Sequence, residues 1–401
     1  MAKIMLRECL KKYVLDTHRS KNPESTRHHI DTLQDRLGIR VLGDVSSLDR
    51  VDIPVYTCQR FRSDKSTTDH TGKGISQTQA QVSLIMEAAE RYAAELQDAD
   101  SKRLIRGSYS NFRFQCNTIN PEELILPRPG SYRPHQDYLW AWGYDLISDS
   151  EILVPACSVF HPFNHDDPAM IPSHTNGLAS GNTMEEAVFH ALTEVIERDS
   201  LSINQFTGKP SDSLYIEDTA EYSFISDIAD KFSRAQIEIV SKDITSDIGI
   251  PVVAAYSNDT VQQAMTGISG FGAHLDPRVA MARALLELAA TRAFVIQKQG
   301  NGNLMPLFSA FYAGLCETHD YRFFSCHHKG LGELSAEFSD DILMDIKILT
   351  NKLISKGFEK IIAVDLTRPE IGIPTVRVIV PGMEVYCFDR TRRGSRLYAA
   401  L

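Results

Sequence analysis

Three long segments place apolar and small residues at three- and four-residue steps: SQTQAQVSLIMEAAERYAAEL (76–96), TMEEAVFHALTEVIERDSL (183–201) and DPRVAMARALLELAATRAF (276–294). That period lines one face of an α-helix, so each segment is predicted helical. Ser76 with Gln79 and Thr183 with Glu186 read as capping boxes, and Asp276 before Pro277 reads as an N-cap with proline in the first turn. Short apolar runs alternate with the helices: EILVPACSVF, IEIVSKDIT, IPVVAAYS, KIIAVDLT and TVRVIVPG are predicted strands. Ahead of them lie a polar helical segment, 23–37, and the runs IRVLGDV and DIPVYTC. The alternation predicts a mixed α/β (α+β) fold with helices packed on β-sheets, residues 1–60 forming an N-terminal cover segment and 61–401 the main domain. The segment 301–329, with Tyr312, Tyr321, Phe323, Phe324 and CHHKG, follows neither period and reads as a loop or lid.

Composition narrows the class. The 401 residues carry 42 Lys+Arg against 52 Asp+Glu, a net charge of −10, which argues against a phosphate-tracking nucleic-acid surface. Seven cysteines are scattered without a C-x-x-C pair, which fits neither a disulfide framework nor a zinc ribbon and points to a reducing cytoplasm. No apolar run approaches the roughly 20 residues that span a bilayer. The reading is a cytoplasmic protein that binds neither membrane nor nucleic acid.

The three helices echo one another. Each has an Ala four positions after its cap (Ala80, Ala187, Ala280) and a Glu eleven positions after it (Glu87, Glu194, Glu287). Glu90 and Glu197 stand three residues beyond the first two glutamates, so each pair shares a helix face. Taken alone, an ExxER is a solvated or salt-bridged surface feature, here with Arg91 and Arg198. Two copies flanked by Ala, Leu, Ile and Met change the balance, because converging buried carboxylates repel unless a cation lies between them. Hard oxygen ligands around a divalent ion describe a Mg2+–nucleotide site.

Glycines precede the helices: Gly72, Lys73 and Gly74 in TGKGIS, Gly177 and Gly181 in HTNGLASGN, Gly270 and Gly272 in SGFGAHLDP. Such glycines let backbone N–H groups approach an anion at a helix N-terminus, although ordinary tight turns use them as well. None matches the P-loop or dinucleotide spacing. Asn182, Glu186, His190 and Glu194 form a stripe at four-residue steps, with Glu186 also wanted locally by a capping box. His274 reads as a structural hydrogen-bonding residue, and Cys326, His327 and His328 lack the second ligand group of a metal site.

Taken together, GKG with SLIMEAAERY, TNGLASGNTMEEAVFHALTEVIERDS, GFGAHLDPRVAMARALLELAATR and VRVIVPGMEVY resemble the YcaO family of ATP-dependent peptide-backbone-modifying enzymes. The resemblance implies a YcaO-like ATP-binding fold without a P-loop over residues 61–401, with ATP and Mg2+ as cofactors. By matching motif, Ser83, Asn182, Glu186, Arg198 and Arg283 resemble nucleotide-contacting positions, and Glu87, Glu90, Glu194, Glu197 and Glu287 the acidic set around Mg2+, the first four of them also catalytic. Where the family often has a Gln after the third-helix Glu, this chain has Ala290 and Thr291, which leaves the ligand count there open. Family members phosphorylate a backbone amide oxygen after, or together with, nucleophilic addition at its carbon.

The sequence ends in RGSRLYAAL without the proline-rich tail of many azoline-forming members, and it shows no fused leader-binding domain. It therefore resembles more closely the members that work with a TfuA-like partner and a sulfide source to install a thioamide in a peptide or protein substrate. In methanogenic archaea that substrate is a glycine of methyl-coenzyme M reductase. The alternatives are an azoline-forming cyclodehydratase acting on Cys, Ser or Thr, and a non-catalytic nucleotide-binding scaffold. A homodimer is compatible with the sequence. A sulfur-handling role for Cys58 or Cys326 is not legible, a buried small hydrophobe being the plainer reading.

Overall fold

The computed structural model describes residues 3–62, 64–130, 132–163, 169–262, 265–300 and 327–401. The stretch 301–326, which includes most of the segment expected as a loop or lid together with Cys326, lies outside the described residues. The three capped segments form the helices Gln77–Ala94, Met184–Thr207 and Pro277–Gly300, each starting one residue after its predicted cap. At the first, Ser76 Oγ accepts from Gln79 N at 3.2 Å and Gln79 Oε1 accepts from Ser76 N at 3.1 Å, the full capping box. At the third, Asp276 Oδ1 accepts from Arg278 N at 2.9 Å behind Pro277. The second keeps half the box. Thr183 Oγ1 accepts from Glu186 N, but Glu186 Oε2 turns to the backbone N–H and side-chain amide of Asn182, at 2.9 and 3.0 Å.

The chain divides into two compact units, one of residues 1–10, 89–207 and 339–401, the other of 11–88 and 208–338. The first is built on a six-stranded antiparallel sheet in which Leu104–Gly107, Tyr138–Asp145, Ile362–Asp365, Thr375–Ile379 and Leu178–Ser180 follow in order, with Ser150–Pro155 also paired to Tyr138–Asp145. The second helix packs on Thr375–Ile379 and Leu178–Ser180. Trp140, Ile152, Val154, Leu178 and Val364 fill the core.

The other unit carries a five-stranded sheet in the order Ser269–Ala273, Val252–Asn258, Glu238–Asp243, Ser213–Tyr215, His328–Gly330, with only the last pair parallel. The third helix packs along its first two strands, and Val253, Ala255, Ala280, Ala284 and Leu288 are buried in one core cluster with Phe232 of the helix Ser223–Arg234. A three-stranded antiparallel sheet, Ile39–Asp44, Val55–Phe61 and Thr67–Lys73, belongs to the same unit. Residues on both sides of position 60 therefore share one sheet. Among the described residues no helix is long and apolar enough to cross a membrane.

Candidate functional site

The carboxylates fall into two groups, one in each unit. In the six-stranded-sheet unit, Glu90 at the end of the first helix and Glu194 and Glu197 on the second stand among guanidiniums. Glu197, 2% exposed, pairs with Arg198 Nη2 at 3.2 Å, and Glu90 lies 3.7 Å from Arg91 Nη1. These are the salt bridges expected of an ExxER, so the bland reading of each motif is realised. What it leaves out is Glu194. Burial pushes its carboxyl up to about 7, Glu197 pushes the same way, and Arg198, Arg91 and Arg377 only partly oppose them.

Arg377 is the residue the sequence reading passed over. Its strand, Thr375–Ile379, is otherwise apolar or hydroxylated, and a lone arginine in such a strand was the available signal. The side chain is 1% exposed and donates to three backbone carbonyls: Val159 at 3.0 Å, Asn176 at 2.7 Å and His174 at 2.9 Å. Burial and Arg91 draw its pKa down to about 10, while Glu194 and Glu90 act to raise it. One guanidinium thus holds the turn before the second helix and faces the carboxylates. Asn182 and Glu186 stand at the start of that helix, where the buried Glu186 carboxylate fixes the Asn182 amide.

In the other unit, Glu87 accepts or pairs with His70 Nδ1 at 3.3 Å, and Glu287 pairs with Lys73 Nζ at 3.6 Å. Lys73 comes from the TGKG segment, so that motif delivers a cation to the third-helix carboxylate. Arg283, one turn before Glu287, keeps a buried Nε with no hydrogen-bond partner. Ser83 lies partly buried on the first helix. His274 is a structural residue, as expected: Nδ1 accepts from Asp276 N at 2.9 Å, and burial holds the ring neutral. Cys58 is 3% exposed, its thiol pushed up to about 12 by burial and then by Glu87.

The glycines serve packing. A Cβ on Gly72 would fall 2.1 Å from the Ala80 carbonyl oxygen and 2.3 Å from Leu84 N, and one on Gly270 would fall 2.2 Å from both Ala284 O and Leu288 N. Each strand therefore lies directly on the helix that follows it, which glycine alone permits.

Among the described residues no group of three or more His, Cys, Asp or Glu is gathered closely enough to hold a metal ion by itself. The donor set still fits Mg2+ carried by a nucleotide, since that ion takes one or two carboxylates and completes its octahedron with phosphate oxygens and water. A carboxyl whose ionisation is disfavoured at Glu194 and a buried guanidinium N–H without an acceptor at Arg283 want, respectively, a cation and an anion.

Comparison with known proteins agrees. Residues 71–384 match the family model described as YcaO cyclodehydratase, ATP- and Mg2+-binding. An uncharacterized protein of Methanothermobacter thermautotrophicus is 36% identical over 372 residues, covering 91% of this chain and 94% of its own. An uncharacterized protein in the tfuA 3' region of Rhizobium leguminosarum bv. trifolii is 29% identical over 366 residues, covering 87% and 84%. Among solved structures, YcaO from Methanopyrus kandleri bound with AMPPCP and Mg2+ superposes with a TM-score of 0.77 at 28% identity, over 96% of this chain and 98% of that one. A heterocyclase in complex with substrate and cofactor shares the fold, at a TM-score of 0.85 and 22% identity over 100% of this chain and 56% of that one. The chain belongs to the YcaO family of ATP- and Mg2+-binding enzymes.

Proposed function

We propose that this protein activates a peptide-backbone amide by phosphorylating its oxygen and that sulfide then replaces that oxygen, leaving a thioamide. The bonds balance: the amide carbon gains a C–S bond and loses its C–O bond, and the γ-phosphoryl group leaves ATP for that oxygen. Amide, hydrosulfide and ATP become thioamide, ADP and hydrogen phosphate. An amide carbonyl is a poor electrophile because its oxygen is a poor leaving group, and phosphorylation removes that obstacle. Mg2+ carried by the nucleotide would take its one or two carboxylate ligands from the set Glu87, Glu90, Glu194, Glu197 and Glu287 and would offset the charge that develops on the phosphoryl oxygens.

Ser83, Asn182, Glu186, Arg198 and Arg283 are assigned to the nucleotide in this reading, with Glu186 acting chiefly by orienting the Asn182 amide. The single observation that carries amide activation is the match to the ATP- and Mg2+-binding cyclodehydratase family model, with the likeness to the Methanopyrus kandleri YcaO bound with AMPPCP and Mg2+ supporting the nucleotide step. The thioamide branch is supported by the relative that lies in a tfuA 3' region. That relative favours a TfuA-like partner protein, and the substrate in this reading is a glycine of methyl-coenzyme M reductase. Residues 61–401 are taken as the catalytic domain, with the 1–60 segment joined to it through the three-stranded sheet, and the setting as the cytoplasm.

The family model's own description, a cyclodehydratase, favours the second reading, azoline formation from Cys, Ser or Thr. Calorimetry with ATP and Mg2+ tests the nucleotide step that both readings share: the account requires ATP affinity that vanishes on chelation. Binding without turnover in the presence of substrate, partner and sulfide would leave a scaffold.

A further inference from the structure

A cavity of about 50 Å3 lies within the six-stranded-sheet unit, walled by Val195, Val378 and Met383 and lined also by His174, Asn176 and Arg392. Asn176 is 6% exposed, and its Oδ1 is buried with no hydrogen-bond partner; Nδ1 of His174 is buried in the same condition. Atoms left this way cost about 1–3 kcal/mol each. A native fold keeps them when something outside the chain satisfies them. Arg392 gives Nε to the Ile125 carbonyl at 2.7 Å and Nη2 to the Leu124 carbonyl at 2.6 Å, so the guanidinium is fixed in the wall. Burial, with Arg377 and Arg392 close by, holds His174 down to about 2, and its ring stacks on Phe388 with centroids 5.4 Å apart. The imidazole is neutral at any working pH.

The space thus offers two neutral polar atoms, apolar walls and one fixed cation. That combination suits a molecule of one or two heavy atoms with a polarizable body and X–H bonds to donate. It is also tied to the carboxylates. The guanidinium of Arg377 holds the backbone carbonyls of both Asn176 and His174 while interacting with Glu90 and Glu194, and Val195 directly follows Glu194 on the second helix.

We propose that this cavity is the seat of hydrogen sulfide, which supplies the hydrosulfide of the thioamide reaction, its second proton passing to the released phosphate. The identity of the occupant rests on the thioamide reading; the existence of the seat does not. Hydrogen sulfide is a weak donor, so leaving water costs it little, and the lining residues supply acceptors for its S–H bonds in Asn176 Oδ1 and, in the Nε2–H tautomer, His174 Nδ1. Ordered water is the competing occupant of the same chemistry.

The test is a crystal of the full chain soaked in sodium sulfide below neutral pH, with diffraction at a wavelength where sulfur scatters anomalously. The expected result is an anomalous peak in the cavity within about 4 Å of Asn176 Oδ1, beyond that of Met383 and lost in Asn176→Leu. A water-sized peak with no anomalous signal would overturn the seat. Turnover supplies the second arm, read as KM for sulfide against kcat with the protein substrate, its partner and ATP. Asn176→Leu, and Val378→Ile, which narrows the space and spares the polar atoms, should each raise KM for sulfide about tenfold. Their kcat at saturating sulfide and their ATP affinity should stay within about twofold. Unchanged KM in both variants would overturn a role as the nucleophile's seat. A sulfur peak in a wild-type enzyme that yields no thioamide would count against the thioamide reading and support the seat.

Discussion

At Glu194 a raised carboxyl and the proposed metal role meet in one side chain. Its folded-state carboxyl is raised from the ordinary 4.5 to about 7, so the fold without ligand favours the protonated form. Stability from this group is whole below pH 4.5, falls as pH rises through 7, and is flat beyond it. Glu194→Gln should therefore stabilise the ligand-free protein at pH 8 by on the order of 1–3 kcal/mol, leave it unchanged at pH 4, and weaken binding of ATP with Mg2+. Thermal melts at the two pH values with calorimetry at the higher one check this; a variant less stable at pH 8 contradicts it. Cys58 follows the same physics, a thiol kept neutral by burial. Iodoacetamide at pH 8 should leave it unlabelled in the native protein, and Cys58→Ala should keep turnover within about twofold. Rapid labelling, seen by peptide mass spectrometry, would reopen a sulfur-handling role. At this scale the sequence displayed the carboxylates and their adjacent arginines, because those pairs are local. It hid Arg377, whose partner Asn176 is 201 residues away.

Helices and strands obey local rules, and most were readable for that reason. The caps at Ser76, Thr183 and Asp276 set the helix starts, and the apolar runs around Val252–Asn258, Ile362–Asp365 and Thr375–Ile379 became strands. Thr67–Lys73 escaped because TTDHTGK carries no apolar alternation and is held as a strand by pairing with Val55–Phe61. On sequence the glycines ahead of the helices suit either an anion-approaching loop or a tight turn; two of them, Gly72 and Gly270, lie in strands that need glycine to pack against a helix backbone. Gly270→Ala should consequently cost about 2–4 kcal/mol, because the new Cβ meets backbone atoms of the third helix at 2.2 Å. Gly357, with nothing near its Cβ position, makes an uneven control because its φ is +85°, whereas Gly43 has open space and no such strain. Urea melts of Gly270→Ala and Gly43→Ala separate the close-packing account from a general glycine effect; equal losses would refute it.

At the scale of the molecule, composition argues against a phosphate-tracking surface and a bilayer span and the motif set identifies the family, yet the division into two units is not legible. One unit draws on three stretches of chain and the other on two, so no linker marks their limits. A chain interleaved in this way signals its architecture through pairing between distant strands, such as Thr375–Ile379 with Leu178–Ser180, which no local period announces. The family and its ATP and Mg2+ dependence lead to a reaction that changes the mass of a substrate. The decisive measurement is intact and peptide mass spectrometry of the protein substrate after incubation with this enzyme, its partner, ATP, Mg2+ and sulfide. The account predicts a gain of about 16 Da at a backbone position, dependent on every component and lost on chelation. A loss of about 18 Da without need of sulfide would contradict it and assign cyclodehydration instead.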